Sequence, residues 1–345
     1  MSTRGTGMLG AALILAACAS APSAAPDAPA RTPNARRDER GDAIRALAIG
    51  HQRACAVRAD GRVVCWGGCF TCYDDPPPPE PTLVPALDDA IAISGDDSRW
   101  CVVERGGTVA CWTGTEPASQ VAGVRGAVEV ANTCARLADG TVTCWGTVPT
   151  LPDGPLPITR LAQGYGSVCG IRANGGLVCW SNVYPYPTGQ PLYEDAPVEF
   201  TAPRDVELVA TSAMRGTCTK SRGRNVECWG GEAAFAPESS IVEGTSDAIA
   251  LALAEYHGCV LKRDGRVACW GFNFAGQLGA PRDVLEERWD ARPIEGLTAA
   301  VAVATGSGEP SSGTGSTCVI TRDARVICWG NLADVPGGVL DLTPR

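Results

Sequence analysis

Seven times along the chain two cysteines stand ten residues apart, and each second cysteine is followed at once by tryptophan. The copies are Cys55/Cys65/Trp66, Cys101/Cys111/Trp112, Cys134/Cys144/Trp145, Cys169/Cys179/Trp180, Cys218/Cys228/Trp229, Cys259/Cys269/Trp270 and Cys318/Cys328/Trp329. An internal repeat at one spacing constrains architecture more tightly than any single motif. The same parts recur around each copy. A small-residue apolar segment precedes it, at 43–49, 90–93, 127–130, 158–162, 206–210, 248–254 and 299–304. A short β-prone run follows it, at 82–84, 121–124, 157–159, 198–201, 241–242, 293–297 and 339–342. The density of Gly and Pro and the lack of a 3.6-residue period exclude a helical solenoid. Four short strands repeated seven times describe a seven-bladed β-propeller over residues 42–345.

Hairpin parity explains why cysteine pairs with cysteine. The first turn is centred on Asp60-Gly61, so folding about Asp60 sets Arg58 opposite Arg62 and Cys55 opposite Cys65. A hydrogen-bonded 58/62 pair makes 55/65 a non-hydrogen-bonded pair, where cross-strand Cβ atoms come close enough for a disulfide. Each bridge is expected to stabilise its blade by about 2–3 kcal/mol. The Trp that follows points to the opposite face of the strand. One face of every blade therefore offers a disulfide and the other an indole, both for packing between blades. Asp60, Asp139, Asp264 and Asp323 at the turns bond their own backbone, and Gly61, Gly140 and Gly265 supply positive φ. Gly106 and Gly223 occupy the same position as those carboxylates, which argues against catalysis there.

Fourteen of the seventeen cysteines belong to the seven pairs, and Cys69 and Cys72 form a fifteenth and sixteenth, expected to close a loop disulfide. The odd one is Cys18. Residues 1–17 carry Arg4 and an apolar run from 8 to 17, shorter than the roughly 20 residues a membrane-spanning helix needs and of secretory-signal type. Leu15-Ala16-Ala17-Cys18 resembles the lipobox of bacterial lipoprotein precursors. The resemblance implies cleavage before Cys18, acylation of that residue and a membrane anchor, with Ala19 favouring the outer membrane. Residues 18–41, rich in Ala and Pro, read as a lipidated flexible tether. The formal charge of −9 gives no overall footprint for phosphate backbones, so nucleic acid is not the expected partner.

The run DGRVACWGFNFAGQLG at 264–279 resembles the regulator-of-chromosome-condensation repeat. Trp270, Gly271, Asn273, Gly276, Gln277, Leu278 and Gly279 follow its Trp-Gly-x-Asn-x-x-Gly-Gln-Leu-Gly hallmark in order. The resemblance implies seven-bladed propellers, in agreement with the count of repeats. Only this repeat keeps the whole tail, and Thr113 and Ser181 replace the Gly after Trp112 and Trp180. The family's nucleotide exchange on a nuclear GTPase does not suit an acidic, exported, anchored chain.

The sequence is poor in chemistry. Two histidines, His51 and His257, stand at non-equivalent places in their repeats, so no cofactor, metal site or catalytic set is expected. No Gly-x-Ser-x-Gly, His-Glu-x-x-His or P-loop occurs. With strands alternating up and down, the segment before each Cys strand and the segment after each Trp emerge on one rim. Three distinctive segments do so: 305–317, rich in Gly and Ser; 67–81, with Cys69 and Cys72; and 182–194, with Tyr184, Tyr186 and Tyr193. Those tyrosines are candidate anchors for a protein partner. The expected function is a monomeric, non-enzymatic, envelope-anchored interaction module. An inhibitor of an envelope or secreted enzyme is the alternative within binding, since one secreted relative with this propeller resembles a β-lactamase inhibitor. A hydrolase or lyase at the central channel is the enzymatic alternative.

Overall fold

The computed structural model describes residues 43–50, 53–67, 81–95, 99–131, 133–145, 157–164, 167–181, 198–200, 203–212, 216–229, 240–281, 283–306, 315–333 and 339–340. They build an all-β ring of seven blades. Blade 1 is β1 (Ile44–Ile49), β2 (Arg53–Arg58), β3 (Val63–Gly67) and β4 (Thr82–Leu83). Blade 2 is β5 (Ala90–Gly95), β6 (Arg99–Glu104), β7 (Val109–Thr113) and β8 (Ser119–Gln120). Blade 3 shows β9 (Ala127–Ala131), β10 (Cys134–Leu137) and β11 (Val142–Cys144). Blade 4 is β12 (Ile158–Gly164), β13 (Ser167–Arg172), β14 (Leu177–Ser181) and β15 (Val198–Phe200). Blade 5 is β16 (Val206–Thr211), β17 (Thr217–Ser221), β18 (Val226–Trp229) and β19 (Ser240–Val242). Blade 6 is β20 (Ala248–Leu253), β21 (His257–Lys262), β22 (Val267–Phe272) and β23 (Glu287–Pro293). Blade 7 is β24 (Ala300–Gly306), β25 (Ser316–Thr321), β26 (Val326–Gly330) and β27 (Val339–Leu340).

The first strand of each blade lines the centre, and each such strand lies beside that of the next blade, with β24 returning to β1. Closure exchanges no strand, because blades 1 and 7 are each built from their own stretch of chain. Small residues make the fit possible. A Cβ on Gly306 would fall 2.4 Å from the Gly50 carbonyl oxygen, so only glycine lets blade 7 meet blade 1 there.

The hairpins adopt the expected register. Cys55 faces Cys65, and the other six pairs repeat it, each bridged with Cα atoms 4.0–4.1 Å apart. The Arg58 N–H donates to the Arg62 carbonyl at 2.9 Å, which sets the parity that brings the sulfurs together. The Arg62 and Arg266 N–H groups donate to the Asp60 and Asp264 carboxylates, both at 3.0 Å, so those aspartates shape turns. Seven disulfides among the described residues fit an oxidising, extracytoplasmic compartment. Cys18, Cys69 and Cys72 lie outside the described residues.

Two outer strands fall elsewhere than expected, and the segment expected to form a third belongs to an inner strand. Blade 2 uses Ser119–Gln120 in place of 121–124, and blade 6 uses Glu287–Pro293 in place of 293–297. Residues 158–159 open β12, the inner strand of blade 4, and Pro157 stands just before it. The physical reason is that an edge strand has little to bury. The apolar residues just after it, Val124, Ile294 and Leu297, are 4–6% exposed in the crossovers that wedge beneath the next blade. Apolar character therefore marks the crossover and not the edge.

Each inner strand also carries a bulge at its second residue, where the register slips between Ile44 and Ala46, Ala248 and Ala250, or Ala300 and Ala302. The hairpin turns and the bulges share one rim, here the turn rim. The segments after the inner strands and after each Trp share the other, the loop rim. In blade 7 the turn position held by Gly61 and Gly265 is Ala324, at φ 63°. An alanine in the left-handed region costs more than glycine. Ala324→Gly is expected to raise stability by about 0.5–1 kcal/mol, read as a higher midpoint in denaturant titration.

Candidate binding rim

The central channel and the loop rim of blade 6 both offer a place for a ligand or partner. The channel holds a cavity of about 370 Å³ walled by all seven inner strands. Its lining is mostly Ala, Val, Leu and Ile, with Ser94, Glu129, Gln163, Thr211 and Thr305 as polar groups. The Ser94 hydroxyl donates to Gln163 Oε1, and Gln163 Nε2 donates to the Gly95 carbonyl at 3.1 Å, tying blade 2 to blade 4. Glu129 accepts from Arg136 Nε at 2.7 Å and from the Leu161 N–H at 3.2 Å. Its carboxylate is thereby committed to holding blades 3 and 4 together. Among the described residues no group of His, Cys, Asp and Glu is placed to hold a metal ion.

His257 is sealed within the protein at 1% exposure, its Nε2 3.0 Å from the Thr317 hydroxyl across the blade 6–7 interface. Burial lowers its pKa to about 4, so it stays neutral at physiological pH. The turn carboxylates are no better suited to proton transfer. Hydrogen bonds from the Arg266 side chain hold Asp264 below the usual carboxylate range, and Asp323 is lowered chiefly by the Thr321 hydroxyl. They stay ionised and serve their turns.

The loop rim of blade 6 is different. Phe272 and Phe274 stack with ring centroids 4.7 Å apart. Tyr256 meets both edge-on at 6.1 and 6.3 Å, and Trp289 meets Phe272 edge-on at 5.4 Å. Tyr256, Phe272 and Phe274 are half-buried, and Trp289 is 40% exposed on the outer strand β23. Four aromatic side chains from three segments thus form one surface cluster, in the offset and edge-to-face arrangements such rings favour.

The loop that presents them is held from inside. Asn273 is fully buried; its Nδ2 donates to the Ala280 and Leu285 carbonyls at 2.9 and 2.7 Å, and its Oδ1 accepts from the Leu278 N–H at 2.8 Å. Gln277, also fully buried, accepts from the Ala275 N–H at 2.8 Å. Leu278 packs among Ile294, Leu297 and Val319 of the crossover and blade 7. Gly271 is at φ 100°, and a Cβ there would fall 2.4 Å from the Tyr256 carbonyl oxygen. The hallmark positions therefore build the loop, while the two residues between them, Phe272 and Phe274, face outward. The sequence pointed to Tyr184, Tyr186 and Tyr193 as anchors and missed this cluster. The missed signal is local: large apolar residues stand at loop positions that need no particular side chain.

Tyr184, Tyr186 and Tyr193 lie outside the described residues, as do His51 and most of 67–81. The strand ends that flank 305–317 and 67–81 do fall on the loop rim, in adjoining blades, since Gly306 abuts Gly50.

A sequence model described as the regulator of chromosome condensation (RCC1) repeat matches residues 252–277, the blade that carries this cluster. No curated protein matches the chain. Among solved structures, the chain is similar to yeast RCC1 (Prp20) bound to Kap60, with 16% identity and a TM-score of 0.50 over 82% of this chain and 69% of that one. It is similar to the ectodomain of the Physcomitrella patens receptor kinase CR4, at 22% identity and a TM-score of 0.53 over 84% and 73% of the two chains. The CRINKLY WD40 ectodomain of the Arabidopsis thaliana receptor kinase ACR4 is similar at 18% identity and a TM-score of 0.52, over 84% and 95%. At these identities the likeness concerns the fold.

Asn273→Ala removes three buried hydrogen bonds and is expected to destabilise the chain by about 3 kcal/mol, measured by chemical denaturation. His257 generates a pH dependence of definite sign. Unfolded, it takes a proton near pH 6.5; folded, not until about 4. Its contribution is complete above pH 6.5 and is lost as pH falls towards 4, amounting to about 3 kcal/mol over that window. His257→Gln should flatten the stability–pH curve there by that amount.

Proposed function

We propose that this propeller is a non-enzymatic protein–protein interaction module, held at the bacterial envelope through acylated Cys18, whose loop rim meets the partner. The observation that carries the reading is the aromatic cluster of half-buried Tyr256, Phe272 and Phe274 with exposed Trp289, beside a loop knitted by Asn273. Aromatic anchors on a rigid support lose little conformational freedom on binding and dominate interface energetics. A channel whose one carboxylate among its described lining residues is engaged by Arg136 and the Leu161 N–H supports binding over catalysis. The yeast RCC1 structure was determined bound to a protein, Kap60, which supports a propeller of this kind serving as a docking surface.

On this reading residues 1–17 are removed as a signal peptide, 18–41 form the tether, and the outer membrane is the site of anchoring. Tyr184, Tyr186 and Tyr193, from a segment that joins two strand ends on the same rim, extend the interface beyond blade 6.

Capture of partners from the native envelope by the tagged chain, read by mass spectrometry, tests this. Trp289→Ala is expected to weaken the captured complex by about 30-fold or more, as for an interface anchor, with Phe272→Ser and Phe274→Ser acting alike. Undiminished capture by all three variants would refute the blade 6 interface. Loss on replacing Tyr184, Tyr186 and Tyr193 alone would move it to the segment they occupy.

A further inference from the structure

The turn rim, opposite the aromatic cluster, has its own chemistry. The hairpin turns of blades 5, 6 and 7 bring Arg222, Arg224, Arg263, Arg266, Arg322 and Arg325 to the surface, all exposed, although the chain carries a net charge of −9. Some are engaged: Arg222 pairs with Glu207 at 3.0 Å, and Arg266 and Arg325 pair with Asp264 and Asp323 at 2.6 Å. Arg224, Arg263 and Arg322 have no ion-pair partner among the described residues, and neither has Arg45 at the bulge of blade 1. Asp205, Glu243 and Glu295 are exposed acids on the same rim, Glu243 bonded by Asn225 at 2.8 Å, and Asp247 pairs with Lys262 at 3.1 Å.

Beside these arginines stand apolar side chains that the fold pushes into solvent. The Arg263 N–H donates to the Asp247 carbonyl at 3.2 Å, and the Arg322 N–H to the Ala299 carbonyl at 2.8 Å. Each turn is thus fastened to the base of an inner strand two residues before its bulge. The bulges expose Ile249 at 44% and Val301 at 50%. Exposed guanidinium groups at the turns and exposed β-branched side chains at the bulges thus occur on the same rim in blades 6 and 7. The chain also enters the propeller here, since Ala43 precedes β1 and its carbonyl accepts from the Ala59 N–H at 2.6 Å.

We propose that the turn rim of blades 5 to 7 and 1 docks on an anionic phospholipid surface. Arginines suit phosphate oxygens, which their fork can bind in a bidentate manner, and they gain from the negative potential of an anionic leaflet. Ile249 and Val301 enter the boundary between headgroups and acyl chains, where small apolar groups leave water. A nucleic acid would satisfy the arginines but has no place for those two side chains. Docking in this pose turns Phe272, Phe274 and Trp289 away from the membrane, towards a partner. The inference rests on charges and exposure in the ring and not on acylation of Cys18, so it fails or stands separately from the proposed function.

The test uses the mature chain, residues 18–345, with Cys18→Ala, which carries neither the apolar run at 8–17 nor an acyl group, in co-sedimentation with vesicles of phosphatidylcholine alone or with added phosphatidylglycerol. Binding should favour the anionic vesicles by at least about tenfold and weaken with salt. Arg263→Gln with Arg322→Gln should lower that binding by about tenfold or more, and Ile249→Ser with Val301→Ser should lower it at constant charge. All four positions are exposed, and an unchanged thermal transition verifies folding of each variant. Equal binding to both vesicle types, or binding that survives both pairs of substitutions, would overturn the proposal. So would arginine-dependent binding to duplex DNA without binding to vesicles.

Discussion

Each blade's disulfide packs against the tryptophan of the next blade, and the ring depends on this contact. Cys55–Cys65 shares a core cluster with Trp112, Cys101–Cys111 with Trp145, Cys134–Cys144 with Trp180 and Cys169–Cys179 with Trp229. Cys218–Cys228 lies with Trp270, Cys259–Cys269 with Trp329, and Cys318–Cys328 returns to Trp66. The last of these closes the circle between the two ends of the chain with the same contact used everywhere else. A four-stranded sheet cannot bury both its faces alone; stacked in a ring, each sheet covers one face of its neighbour. The disulfide, itself an apolar plate, also ties the hairpin so that the face presented to the indole keeps its shape.

At the turn rim hairpin turns also bond the next blade, as the Gly61 and Gly265 carbonyls accept from the Ala90 and Ala300 N–H groups at 2.9 Å, but the exposed turn side chains take no part in this. The blades are fastened through their faces, and the channel is lined by small side chains that let seven inner strands approach. Strand ends, turns and loops then carry what is particular to this protein. Blade 6 shows the division most clearly. Asn273, Gln277 and Leu278 are buried and build the loop, while Phe272 and Phe274, one residue away on either side of Asn273, stay half-buried in the aromatic cluster at the surface.

The ring was legible in sequence because its cause is local. Ten residues between cysteines define a hairpin with its turn in the middle, and one residue more turns Trp to the other face. Outer strands were less legible: residues 157–159 and 293–297 are apolar because they enter or precede an inner strand, not because they form an edge. The aromatic cluster was not legible, since Tyr256, Phe272, Phe274 and Trp289 come from three segments that meet only when the blade is folded.

By itself the sequence determined the number of blades, the pairing of the fourteen hairpin cysteines and the two-faced character of each sheet, since hairpin parity and strand alternation act over a dozen residues. Only the tertiary structure decided which residues share a rim. A net charge of −9 conceals that arginines from three successive hairpin turns lie together, beside side chains exposed by bulges. Charge adds along a chain without regard to place, whereas a surface is made by neighbours in space, and in a ring those neighbours stand some 50 residues apart.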